Sequence, residues 1–374
     1  MDSSSTAPLR VAYTLEQCWH DSPGGTAIAA LRIARELKRD RELAGEIDLH
    51  QVAGKHAAVP PPIFRPEGSV AMLPLARPLL YETWTRFNWP KVEAVIGPID
   101  VAHATGLIPC GTSAPLVVTV HDVAFVHSPE KFTKHGARSM QRSLDVIERR
   151  AARVLCPSQA TIADCRELGF SDEQLRFVPL GVDVVTATAG EVDHVVRRFD
   201  LPERFVLFVG TLEPRKNLRR LVDAMRRVGA TTPLVVAGAG GWGDERERVD
   251  EALTGAPVDV RFVGTVTDAE LRGLYAAATV FAYPSEREGF GLPVIEAMAQ
   301  GTAVVTSRGT STEEVAAGAA VLADPFDVDD IARAVLEALD RAPEMVAASR
   351  ARAGELSWTN AARATADVYR ELVG

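Results

Sequence analysis

Cysteine is scarce in this 374-residue chain, and the four present, Cys18, Cys110, Cys156 and Cys165, form no CxxC pair and no metal-ligand spacing with histidine. That argues against a disulfide framework and a zinc module, and fits free thiols in a reducing compartment. No stretch reaches the roughly 18 apolar residues that a membrane span needs. The opening MDSSSTAPLR has no long apolar core, so a soluble, cytoplasmic chain is expected. Positive charge is also in deficit: 41 Lys+Arg stand against 50 Asp+Glu, a net charge of −9, which excludes a nucleic-acid partner held mainly through phosphate contacts. The deficit is uneven. Residues 1–183 hold 20 basic and 21 acidic side chains, and the remainder 21 and 29, so the first half is the better suited to an anionic surface. No solenoid-type repeat is visible.

Hydrophobic residues make up 47% and charged residues 24%, ordinary globular values, and the length exceeds what one core usually supports. Short apolar runs rich in β-branched residues alternate with amphipathic stretches, the pattern of parallel sheets covered by helices. In the first half the strands read LRVAYTL, IDLHQVA, DVAHAT, PLVVTVHD, RVLCPS and LRFVPLG, with helices near 25–38, 136–151 and 159–168. The alternation restarts with RFVLFVG and runs through PLVVAG, VRFVGTV, TVFAYPS, AVVTS and AAVLAD. The expected fold class is therefore α/β, with two doubly wound parallel-sheet domains, residues 1–183 and 200–355. The stretch 183–200, weak in strand character, is placed between them. Residues 356–374 read as a terminal helix, capped by Ser357 or Thr359, that could pack back on either domain, the N-terminal one included.

Two stretches of the second half carry chemistry. In PSEREGFGLPVIEAMAQG, residues 284–301, a strand should end near Ser285 and a helix should begin with Pro293 at an early position and stop before Gly301. The intervening Gly289, Phe290, Gly291 and Leu292 would then present backbone N–H groups at a helix N-terminus, where phosphate binds without a basic side chain. Glu288 would stand at the strand's carboxyl end, and Glu296, a turn into the helix, could accept hydrogen bonds from a ribose diol. Read alone, Glu296 could equally complement the helix dipole and Glu288 be a solvated loop residue. In FVGTLEPRKNL, Arg215 and Lys216 precede a second helix start, and Lys216 is the only lysine between residues 184 and 374. Two cations there suit a diphosphate whose leaving charge must be stabilised, although a solvated Arg–Lys pair is the plain alternative.

EPRKN followed about 70 residues later by PSEREGFGLPVIEAMAQG resembles the donor half of the family-4 retaining glycosyltransferases, whose E-x7-E signature matches Glu288 and Glu296. The resemblance implies a GT-B fold, two Rossmann-like domains facing a central cleft. It also implies that Glu288 faces the donor sugar's hydroxyls, that Glu296 holds the nucleotide ribose, and that Arg215 and Lys216 hold the diphosphate. One departure is that many members read G-R-L where this chain has Gly210, Thr211 and Leu212, which would load Arg215 more heavily.

In the first half, Gly24 and Gly25 sit at a strand-to-helix turn where backbone N–H groups could approach an anion or sugar. Most such pairs are only turns; the resemblance implies a loop lining the cleft near the donor phosphates and acceptor. PLVVTVHD ends a very apolar strand in His121 and Asp122, which could serve as general base and orienter, bind sugar hydroxyls, or be a turn cap and its neighbour. The resemblance implies that His121 contacts the transferred sugar. Residues 60–93 mix Arg65, Arg77, Arg86 and Lys91 with Tyr81, Trp84, Phe87 and Trp89. That composition suits a sugar-stacking or membrane-interface surface, or an insert whose aromatics pack on the core.

GAGGWG, residues 238–243, spells G-x-G-x-x-G, the mark of a dinucleotide-dependent oxidoreductase, but it follows the domain's second strand and precedes the acid-rich DERERVD. A nucleotide-sugar epimerase on the same plan could use Glu288, and a dead sugar-nucleotide scaffold would not need Lys216, Glu288 and Glu296 intact. DVDD, Asp327–Asp330, is better read as a helix cap than as a metal-binding D-x-D. The expectation is thus a retaining hexosyltransferase that needs no metal and no cofactor. It would use a nucleoside diphosphate sugar, with GDP-mannose the first expectation from the similarity of HDVAFVHSPEKF to bacterial members that use mannosyl or related deoxysugar donors. The acceptor would be a glycan, a lipid-linked intermediate or a small molecule, with peripheral contact to the inner face of the membrane as an accompanying expectation.

Overall fold

The computed structural model describes residues 7–21, 23–129, 133–229, 231–238, 240 and 258–374, together with positions 247, 249, 251 and 253. Two compact units result, one built from residues up to Gly181 plus Trp358–Gly374, the other from Val182–Ser357.

The first unit carries seven parallel strands: β1 (Leu9–Thr14), β2 (Ile47–Ala53), β3 (Val70–Met72), β4 (Val101–Ala104), β5 (Leu116–Thr119), β6 (Ala151–Cys156) and β7 (Leu175–Phe177). They are ordered β3-β2-β1-β4-β5-β6-β7. The second unit carries six, β8 (Val206–Val209), β9 (Leu234–Ala237), β10 (Val260–Gly264), β11 (Val280–Tyr283), β12 (Ala303–Ser307) and β13 (Val321–Ala323), ordered β10-β9-β8-β11-β12-β13. Strands such as β5, β9 and β11 are buried at every position, as expected when helices cover both faces of a parallel sheet. The strand order reverses between β1 and β4 in one unit and between β8 and β11 in the other, and at such a switch point the connections diverge and leave a crevice at the strands' carboxyl ends.

The terminal helix Trp358–Arg370 belongs to the first unit, seating Ala362, Ala366 and Tyr369 in its interior. There the Tyr369 hydroxyl meets His103 Nδ1 at 2.6 Å, while Arg363 pairs with Asp40 and Glu371 with Arg153 and Arg176. The stretch 183–200 holds more than a connection. Its helix Ala189–Arg198 opens on a reciprocal Thr188–Glu191 cap and packs on the helix Asp268–Ala277, where Gly273 lies against the Glu191 carbonyl.

Residues 60–93 divide. The helix Leu79–Phe87 sinks Trp84 to 1% exposure with its indole N–H on the Pro90 carbonyl, whereas Phe87 and Trp89 stay 72% and 53% exposed. Among the described residues, no helix is long and apolar enough to cross a membrane.

Candidate functional site

The second unit's switch point gathers the chemistry. After β8 the chain makes a short turn, Pro214–Lys216, and enters the helix Leu218–Val228, which buries Leu218, Leu221, Val222 and Met225. The entry is fixed by Asn217, held at φ 63°, whose buried amide donates to the carbonyls of Pro284 and Pro325. After β11 the chain passes Glu288 and enters the helix Leu292–Gln300 through Gly291, at φ 104°. A side chain at Gly291 would also strike Thr312 at 2.7 Å, so this turn admits only glycine. The first N–H groups of that helix have no partner within it, and its positive end faces the turn.

Between these two loops lies an alternating run of charges. Arg215 is 2.7 Å from Glu288 and, through Nε, 3.0 Å from Glu213, whose other oxygen accepts a hydrogen bond from the Thr211 hydroxyl. Lys216 Nζ is 3.5 Å from Glu288 Oε1 and donates to the Tyr283 hydroxyl at 2.6 Å. Tyr283 in turn donates to Glu288 Oε1 at 2.8 Å, and Ser285 Oγ lies 2.9 Å from the same oxygen. Burial alone would push the Glu288 carboxyl up, but Arg215 and then Lys216 outweigh it and hold the group at about 2. The site is thus a carboxylate locked in its charged form between two cations, next to a helix N-terminus. Such a set can receive a diphosphate on the cations while the carboxylate accepts hydrogen bonds from hydroxyls.

Arg215, Lys216 and Glu288 are therefore brought together, with Gly289, Phe290, Gly291 and Leu292 leading away from Glu288. Phe290 is buried and anchors the turn. Glu296 projects from the next turn of that helix and accepts the Tyr275 hydroxyl at 3.0 Å. Burial, then Glu296, raises the Tyr275 phenol, so it acts there as a donor. The sequence gives no site role to Tyr283, Ser285, Glu213 or Thr211, although Ser285 marks the expected strand end and Thr211 the departure from G-R-L. Their signal was position, since all four sit within a few residues of the ends of β8 and β11.

Gly238, the described start of GAGGWG, has its own explanation: a Cβ there would lie 2.1 Å from the Gly210 carbonyl oxygen, so two adjacent strand ends meet backbone to backbone. Gly241, Trp242 and Gly243, with most of DERERVD, lie outside the described residues. Asp327 caps the helix Val328–Glu355 by accepting from the N–H groups of Asp329 and Asp330. Among the described residues, no group of three or more His, Cys, Asp or Glu could hold a metal ion.

In the first unit, Gly24 and Gly25 open the helix Gly24–Arg39, Gly24 at φ 61° with empty space where its side chain would be. His121 follows β5 and donates through Nε2 to the Thr105 carbonyl at 3.2 Å. Burial lowers its imidazole pKa, against the Thr105 carbonyl and Asp122, which favour the charged form. That bond puts the proton on Nε2 and leaves Nδ1 as an acceptor. Asp122 accepts from the Ala124 N–H at 3.0 Å, the turn-cap arrangement, instead of holding the His121 ring.

Residues 23–185 match the family described as Glycosyltransferase Family 4, and residues 191–355 the one described as Glycosyl transferases group 1. O-antigen chain mannosyltransferase B of Escherichia coli is 34% identical over 269 residues, covering 68% of this chain and 70% of that protein. The serotype-specific mannosyltransferase WbdA of Escherichia coli is 32% identical over 203 residues, and this chain spans only 24% of its length. In fold, the chain resembles HepE of Anabaena, solved with UDP and glucose, at a TM-score of 0.72 and 18% identity, over 97% of this chain and 100% of that one.

Proposed function

The chain belongs to the family-4 glycosyltransferases of GT-B fold, and from that premise we propose that it moves mannose from GDP-mannose to an acceptor hydroxyl with retention of configuration. The observation that carries the donor half is the Arg215–Lys216–Glu288 cluster beside the Gly291 helix start. Mannose is favoured by the names of the E. coli relatives, and a nucleoside diphosphate by the UDP bound in the structural neighbour.

In this reading the bond from the anomeric carbon to the β-phosphate oxygen breaks, and the acceptor oxygen bonds to that carbon on the same face. The acceptor proton passes to the departing diphosphate. Arg215, Lys216 and the helix N-terminus stabilise the growing phosphate charge. Glu288 receives sugar hydroxyls, Glu296 the ribose, and His121 Nδ1 a hydroxyl of the transferred sugar. Gly24 and Gly25 supply N–H groups to the diphosphate, and the acceptor is a glycan, a lipid-linked intermediate or a small molecule. Asp122, engaged with its own turn, supports His121 electrostatically and not as a bonded orienter.

A thermal-shift panel of UDP, GDP, dTDP, ADP and NAD, each with and without Mg2+, tests the donor. GDP alone should raise the melting temperature, by an amount that grows with concentration, and Lys216→Ala should abolish most of that rise and lower turnover at saturating donor about 100-fold or more. A shift with NAD only, or an unimpaired Lys216→Ala, would overturn the reading.

A further inference from the structure

We propose that Tyr283 is a positioning residue of the transfer reaction, fixing where the Lys216 ammonium stands relative to Glu288 and hence to the leaving phosphate. The inference rests on the reading of this cluster as the donor site and adds a residue to it.

Tyr283 is the last residue of β11 and wholly buried. Lys216 can only donate, so its 2.6 Å contact makes the phenol oxygen an acceptor. The phenol's single proton is then committed to Glu288 Oε1 at 2.8 Å. The order ammonium, phenol, carboxylate therefore has one direction and one register. Burial, then Glu288, raises the phenol's pKa, in keeping with a neutral hydroxyl that relays position and not charge. The ring is itself immobilised, with Phe281 stacked at 5.7 Å and Phe208 at 5.9 Å, and the Lys216 ammonium lies 5.2 Å from its centroid.

The approach to Tyr283 is shaped for a lysine stem. A Cβ on Gly210 would come within 2.8 Å of Lys216 Cδ, so the missing side chain at the end of β8 is the space the stem occupies. Gly238 in turn lets the end of β9 close on the Gly210 backbone. A strand end, the bare Gly210 and a buried phenol together place one ammonium, which fits a group whose position in the transition state matters more than its charge alone.

The test measures release of GDP or UDP from GDP-mannose and UDP-glucose by the full chain, with water receiving the sugar in place of the acceptor and supplying the proton to the departing diphosphate, and with kcat and KM determined separately. Tyr283→Phe removes only the hydroxyl. It should lower kcat about 10- to 100-fold and leave donor KM within about threefold. Lys216→Arg keeps the cation but cannot pass the slot in the same way, and should lose about as much. Combined, the two changes should cost little more than either alone, because both break one chain of contacts. A purely structural Tyr283 would instead lower the melting temperature and leave kcat per folded molecule unchanged. Wild-type kcat in Tyr283→Phe, or in Lys216→Arg should the first variant not fold, overturns the inference while the donor reading stands. A wild-type protein that neither releases nor, by thermal shift, binds either nucleotide overturns the donor reading and this inference with it.

Discussion

Glu288 stands as a full negative charge between Arg215 and Lys216, so it competes with any phosphate for the same two cations. Replacing it by glutamine keeps the shape and an oxygen that can accept from Tyr283 and Ser285, but removes the charge. Glu288→Gln should therefore bind GDP more tightly, by about three- to tenfold, corresponding to about 1 kcal/mol, while turnover falls because the sugar loses its charged acceptor. Titration calorimetry with GDP and a donor-release assay would read the two effects, and weaker GDP binding would contradict the competition. How much of this was legible differs by residue. Arg215, Lys216 and Glu288 announce themselves by type, as cations and a carboxylate at strand ends. Tyr283 and Ser285 do not, because in TVFAYPS a tyrosine at the close of an apolar strand reads as core, which it also is: its ring is buried and only its hydroxyl reaches the charges. Asp122 is legible only as an alternative, since an acid after a strand can serve a turn or a neighbouring histidine, and here it accepts from the Ala124 N–H at 3.0 Å.

Among the elements, the longer strands are legible as apolar runs, whereas β3, three residues long and none of them buried, is not, and the helix Ala189–Arg198 lies inside a stretch that reads as connection. Thr188 and Glu191 stand at capping-box spacing there, but Val195 is its only residue buried as fully as a core side chain, so the apolar stripe that usually reveals a helix is thin. What seats this helix is backbone proximity. Gly273 brings the helix Asp268–Ala277 so close that a Cβ would lie 2.8 Å from the Glu191 carbonyl oxygen, with Arg272–Glu191 and Arg198–Glu270 pairs flanking the contact. Gly273→Ala should accordingly destabilise the second unit by about 1–3 kcal/mol as the helices are wedged apart. Thr188→Ala, which removes only the cap, should cost about 1 kcal/mol. Urea unfolding of both variants checks the order; an alanine at 273 tolerated better than one at 188 would mean that the glycine is incidental.

At the scale of the whole molecule, titratable groups are divided unequally between the two units, and this predicts how each responds to acid. The first unit holds three histidines, His103 buried and His20 and His121 half-buried, whose imidazoles are held below their ordinary value. For His103, burial, then His121, lowers it to about 3; for His20, burial, then Arg77, lowers it to about 4; and burial lowers His121 as well. Each takes up its proton more readily once unfolded, near 6.5, so the unfolded state binds more protons and stability declines as pH falls from about 6.5. The loss is complete only when the folded-state values are passed. His103 concentrates the effect because both its nitrogens are engaged, with Tyr369 on the terminal helix and Thr119 on β5, so protonating it disturbs the seat of that helix. In the second unit the lowered groups are carboxylates. Glu288, with an ordinary value of 4.5, is held at about 2, and Glu191, Glu270 and Asp330 are lowered also. Their contribution is intact above the ordinary carboxylate range and lost below it. Between about pH 6.5 and 4.5, amide hydrogen exchange should therefore lose protection in β4, β5 and the terminal helix before β8, β11 and β12 change, once rates are corrected for the intrinsic pH dependence. His103→Gln, which keeps a hydrogen-bonding side chain but cannot be protonated there, should flatten the part of that decline carried by the terminal helix. Equal loss in both units, or a decline that begins only near 4.5, would show that these histidines do not set the acid limit of the first unit.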